Sequence, residues 1–244
     1  MIFFLAITVQ EFEETARFDW KNVKKILIQC FPLFVGLFLQ FYIGNAPKYA
    51  IDAILSDNYQ AIYGFIAMPV FIISLLNSMI FNPILIKVSQ NWDNHNISLF
   101  RKQIFKQMCY VIGITIVCLV GAWVIGIPVL SLIYGVNLSA YKVDLIILLV
   151  GGGFLGAVGW LNAVITIMRR QKTILWIYMV ISIVALLFSD DVVRKLEIRG
   201  AAILYMMLMF ALLISYICIY YCGLLREKEI QSANKEQIDN IEKH

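Results

Sequence analysis

Asn45, Lys48 and Asp52, with Pro47 between them, put an amide, two opposite charges and a helix breaker where a membrane helix is normally plain. They close an apolar run that begins near Ile26. A hydrocarbon core is about 30 Å thick and a helix rises about 1.5 Å per residue, so roughly 20 residues bring the chain from Ile26 to Asn45. Lys48 and Asp52 then sit at or just inside the far membrane face. An ionisable group there needs a partner, water or a polar cavity, which makes it a functional-site candidate by default. Pro47 removes a backbone donor and crowds the carbonyl of Ile43, loosening the helix before the charges. In the plainer alternative Lys48 snorkels to the headgroups and pairs with Asp52, for a few tenths of a kcal/mol. Position alone leaves both readings open.

The rest of the chain has to hold these residues in a bilayer. Of 244 residues, 61% are hydrophobic and only 15% are charged, which excludes a soluble domain and defines an all-α integral membrane protein. About six transmembrane helices are expected, over residues 26–44, 61–86, 108–133, 145–168, 173–188 and 200–222. Residues 1–25 read as a truncated helix end followed by an interfacial amphipathic segment, 26–222 as a six-helix lobe, and 223–244 as a charged cytoplasmic tail. Within 87–106, the residues Ile97, Phe100, Ile104 and Phe105 among Arg101, Lys102 and Lys106 read as an amphipathic helix on the membrane surface. Charged residues from Asp190 to Arg199 read as the connection between the fifth and sixth spans. With this topology fifteen Lys and Arg fall on one side and five on the other, so both ends are expected in the cytoplasm.

Several chemistries are not expected. There is no phosphate-binding glycine loop with lysine, and the only histidines are His95 and His244. Neither a catalytic residue nor a cofactor or metal site is anticipated, and no basic block interleaved with aromatics points to nucleic acid. The five cysteines lie in apolar runs as packing residues. What remains is a set of polar side chains on apolar helices: Gln40 on the first, Asn77 and Asn82 on the second, Asn162 and Thr166 on the fourth. Such a pattern suits a translocation pathway. Asn77 and Asn82 alternatively bond across helices, and Asn162 and Thr166 alternatively cap or stitch them. The fifth and sixth spans hold almost no polar residues and are expected on the exterior. In the run from Gly151 to Gly159, Gly152 and Gly156 stand one turn apart, which favours close helix packing over substrate contact.

The segment Asn45-Ala46-Pro47-Lys48-Tyr49-Ala50-Ile51-Asp52, with Gln60-Ala61-Ile62-Tyr63-Gly64, Met68-Pro69-Val70-Phe71, Phe81-Asn82-Pro83 and Asn91-Trp92, resembles the carboxyl-terminal half of bacterial polysaccharide flippases of the multidrug/oligosaccharidyl-lipid/polysaccharide exporter superfamily. The resemblance implies one lobe of a two-lobed bundle in the bacterial cytoplasmic membrane. It implies alternating-access transfer of undecaprenyl-diphosphate-linked oligosaccharide for surface polysaccharide synthesis. Asn45, Lys48 and Asp52 then become cavity or gate residues, with Asn77 and Asn82 on the same pathway and Arg169 and Arg170 at the cytoplasmic entrance. The implied partners are the lipid-linked oligosaccharide, membrane lipid and an amino-terminal transporter lobe. The alternatives are a multidrug or metabolite antiporter of the same superfamily, and a non-transporting scaffold.

Overall fold

The structure, a computed structural model, describes residues 20–94 and 96–241. Helix α1 covers Trp20–Ile54, α2 Asp57–Asp93 and α3 Ile97–Gly121. A π-helical turn, Ala122–Gly126, leads into α4, Ile127–Tyr134; a 3-10 turn, Ser139–Tyr141, precedes α5, Lys142–Ile167; α6 covers Gln171–Ile241. No strand occurs among the described residues. Among the described residues, four stretches are long and apolar enough to cross a membrane: Asp57–Asp93, Ile97–Tyr134, Ser139–Ile167 and Thr173–Glu227. The chain is thus an all-α, membrane-spanning protein. The helix end and most of the interfacial segment read before Trp20 lie outside the described residues.

Helix α6 is a hairpin. In a straight helix Tyr178 and Tyr216 would stand about 57 Å apart, yet their hydroxyls are 2.6 Å apart. The reversal falls at Glu197, whose φ of 51° and ψ of −132° break the helix into two antiparallel limbs. The second limb runs parallel to α5: Arg199 meets Asp144 near the start of both, and Tyr216 meets Asn162 near the far end.

Helix α5 is the axis around which the others pack, and its glycines explain why. A side chain at Gly151 would stand 2.7 Å from the Tyr205 ring and 3.2 Å from the Met206 backbone, so the second limb of α6 lies directly on this glycine. Gly152 admits Val70 and Gly156 admits Asn77, both from α2, while Gly153 admits Thr115 from α3. Close approach of three helices is what small residues on a membrane helix permit. The packing reading of Gly152 and Gly156 therefore holds.

Three expectations are corrected. Helix α1 does not end at Gly44 but continues through Pro47 to Ile54, so Asn45, Lys48 and Asp52 are helical. The segment from Ile97 to Lys106 is helical but is no separate surface helix: it is the first part of α3, and α2 runs to Asp93, leaving a short turn. There the Asn96 side chain accepts from the Leu99 amide, Asn91 donates to Gln103 at 2.8 Å, and Trp92 packs at a tilt against Phe100. Phe100 and Ile104 are buried against the bundle rather than laid on lipid. Finally, the charges from Asp190 to Lys195 are helical, and the connection read there shrinks to the turn at Glu197. The π-helical turn ends at Gly126, two residues before Pro128. Pro128 lacks an N–H and crowds the carbonyl four residues back, which the wider turn relieves.

Candidate functional site

A cleft of about 450 Å³ opens between α1 and α2, floored by α5 and the second limb of α6. It exists because α1 leans mainly on the α6 hairpin and only lightly on α2. From α1 it is lined by Leu37, Gln40, Phe41, Gly44, Asn45 and Lys48, residues three or four apart that form one helical face. Tyr63, Ala67, Val70, Phe71 and Ser74 of α2 form the facing wall. Leu148, Leu155 and Val158 of α5 and Tyr205, Met209 and Leu212 of α6 form the floor. Most of this surface is apolar, with its cation, Lys48, toward the turn that joins α1 to α2.

Lys48 is half-buried, and no salt bridge joins it to Asp52 or to any other carboxylate among the described residues. The pairing alternative, four residues along the helix, is therefore not the arrangement found: Asp52 is exposed and does not line the cleft. Asn45 donates its amide N–H to the Phe41 carbonyl at 2.9 Å. Pro47 is buried, on the part of α1 that packs inward through Ile43, Ala46, Ala50 and Ile51.

The other sequence candidates scatter. Asn77 is buried against α5, away from the cleft lining, and Asn82 is exposed on α2. Asn162 accepts a hydrogen bond from the Tyr216 hydroxyl at 3.4 Å, so it stitches helices, whereas Thr166 is exposed. Arg169 and Arg170 close α5. Arg169 has a φ of 57° and donates its backbone N–H to Thr166, while Arg170 donates to Ile165, the Schellman pattern usually built on glycine. These cations lie at the helix end, where they favour the negative end of its dipole, beyond the last cleft residue of α5, Val158.

Three features were not foreseen. Tyr63 and Tyr205 line the cleft, and α6 supplies part of its floor although it was expected outside. Asp144, 3% exposed, is paired with Arg199 at 3.2 Å. Tyr178, Tyr216 and Asn162 form a buried hydrogen-bond chain. An acidic residue opening an apolar run was a readable sign for Asp144. Tyrosines, by contrast, count as apolar in a hydropathy reading, so their hydroxyls were hidden.

Comparison with protein-family models, with curated proteins and with solved structures matches the chain to none of them.

Proposed function

We propose that this chain is the carboxyl-terminal lobe of a bacterial flippase that moves undecaprenyl-diphosphate-linked oligosaccharide across the cytoplasmic membrane. The observation that carries the reading is Lys48: a half-buried cation, without a carboxylate partner, on the wall of a largely apolar cleft between membrane helices. Such a charge calls for an anion or water, and a diphosphate headgroup supplies several acceptor oxygens while its lipid tail stays in the bilayer. Gln40, Asn45, Tyr63 and Ser74 add neutral hydrogen-bonding groups that suit a sugar.

In this reading α1, the three stretches from Asp57 to Ile167 and the two limbs of α6 make six crossings with both ends cytoplasmic. Arg169 and Arg170 then stand at the cytoplasmic face, where they meet anionic headgroups before the cleft does. An amino-terminal lobe covers the open side of the cleft, and alternating access moves one lobe against the other.

The test is scrambling of a fluorescent undecaprenyl-diphosphate oligosaccharide by the purified transporter in proteoliposomes. Transfer is expected, and Lys48→Ala is expected to slow it by about 10- to 100-fold, the worth of one charge-assisted hydrogen bond. Lys48→Arg retains most of the rate. Equal rates in the two-lobed transporter with and without Lys48→Ala, at equal insertion, contradict the site assignment; no transfer by the unsubstituted two-lobed transporter contradicts the function.

A further inference from the structure

Three buried polar side chains meet where α2, α3 and α5 pack, outside the cleft. Asn77 is 1% exposed, Gln107 2% and Trp160 0%. Packing brings them together. Gly156 lies directly beneath the Asn77 amide. One turn further along both helices, Phe81 packs against Trp160, the rings tilted with their centroids 5.0 Å apart. Helix α3 runs the other way, with Thr115 at Gly153 and Val111 at Gly156, so its next turn sets Gln107 at the level of Trp160.

Four atoms of this group, Asn77 Nδ2 and Oδ1, Gln107 Oε1 and Trp160 Nε1, are buried without a hydrogen-bond partner among the described residues. Two of them donate and two accept. Leaving each bare costs about 1–3 kcal/mol, so the cluster is not stable dry. Water gives two hydrogen bonds and takes two, and a buried water is held by two to four polar partners. A metal cation fits poorly, because two of the four atoms are N–H donors and neither acceptor is a carboxylate. We propose that the α2–α3–α5 interface is an internal water site, in which at least one water accepts from Asn77 Nδ2 and Trp160 Nε1 and donates to Gln107 Oε1 and Asn77 Oδ1. Gly156 makes the room: a side chain there would occupy the place of the Asn77 amide. Because α2 is also a wall of the cleft, a water bridge lets it shift against α5 without stripping that amide of its partners.

Hydroxyl-radical footprinting of the full chain in nanodiscs, in water enriched in oxygen-18, tests the site. Radicals formed from a bound water oxidise the side chain beside it, so Trp160 is expected to gain the heavy oxygen although it is buried. Tyr216 is equally buried but hydrogen-bonded to Tyr178, and it is expected to stay unlabelled. In the double substitution Asn77→Leu, Gln107→Leu, which removes three of the four polar atoms, Trp160 labelling is expected to fall to the Tyr216 level. The proposal is overturned if Trp160 in the parent chain is as silent as Tyr216, a comparison that requires no variant to fold. It is equally overturned if the label persists in a folded double variant, because the indole is then wetted without these partners.

Discussion

Lys48 and Asp144 are opposite solutions to the same physical difficulty. Each is an ionisable side chain at least partly withdrawn from bulk water, but Asp144 has Arg199 at 3.2 Å and Lys48 has no carboxylate in range among the described residues. A settled structural charge is paired; a charge left open on a cleft wall is available to a ligand. The Asp144–Arg199 pair is also lopsided, since the Arg199 side chain is 54% exposed and the Asp144 side chain 4%. Removing the arginine strands a buried carboxylate, while removing the carboxylate leaves a guanidinium that water can solvate. Arg199→Gln is therefore expected to destabilise by about 1–3 kcal/mol, and Asp144→Asn by less, about 1 kcal/mol or below. Unfolding midpoints in detergent give the order, and a larger loss in Asp144→Asn contradicts it.

At the scale of the element, α5 and the α6 turn show where this backbone tolerates no side chain and where it carries one at a cost. Gly151 faces Tyr205 and the Met206 backbone, whereas Gly159, on the same helix, has nothing within 4 Å of where a side chain would begin. Gly151→Ala is expected to lose about 1–3 kcal/mol through overpacking. Gly159→Ala is expected to be neutral or to gain up to about 1 kcal/mol from helix propensity. Thermal denaturation of the two variants side by side distinguishes a packed seam from a flexible one. At the other end, Glu197 holds a backbone conformation that only glycine adopts freely. Glu197→Gly is expected to raise stability by about 1 kcal/mol while the antiparallel hairpin is kept, measured on the same apparatus. A drop in stability would mean that the Glu197 side chain itself holds the turn.

At the scale of the whole molecule, helices were legible in the sequence because apolar length is a strong signal, and their ends were not. Asn45, Pro47 and Lys48 read as the end of a span, since a polar cluster and a proline usually stop a membrane helix. They are helical here because the buried residues Ile43, Ala46, Ala50 and Ile51 keep α1 on the α6 hairpin past that point. The same bias made a surface segment of Ile97 to Lys106 and a loop of Asp190 to Lys195, where tertiary packing continues the helix. Asn45 and Lys48 were found from the sequence because both stand out against apolar neighbours on one helix. Tyr63, Tyr205 and Met209 come from other helices, and only the packing brings them to the same cleft. Asn77 was legible as unusual but not as to its place, because which face of α2 meets α5 depends on the bare surface at Gly156.

The claim on which the account rests is that the cleft beside Lys48 is wet and favours anions. It is tested most directly with Asn45→Cys in a chain whose five native cysteines are serine, treated with a negatively and with a positively charged thiosulfonate reagent of equal size. The account predicts modification by both, faster by the anion, with that preference lost in Asn45→Cys, Lys48→Ala. A cysteine that neither reagent reaches from either side of the membrane, or one that reacts faster with the cation while Lys48 is present, would contradict it.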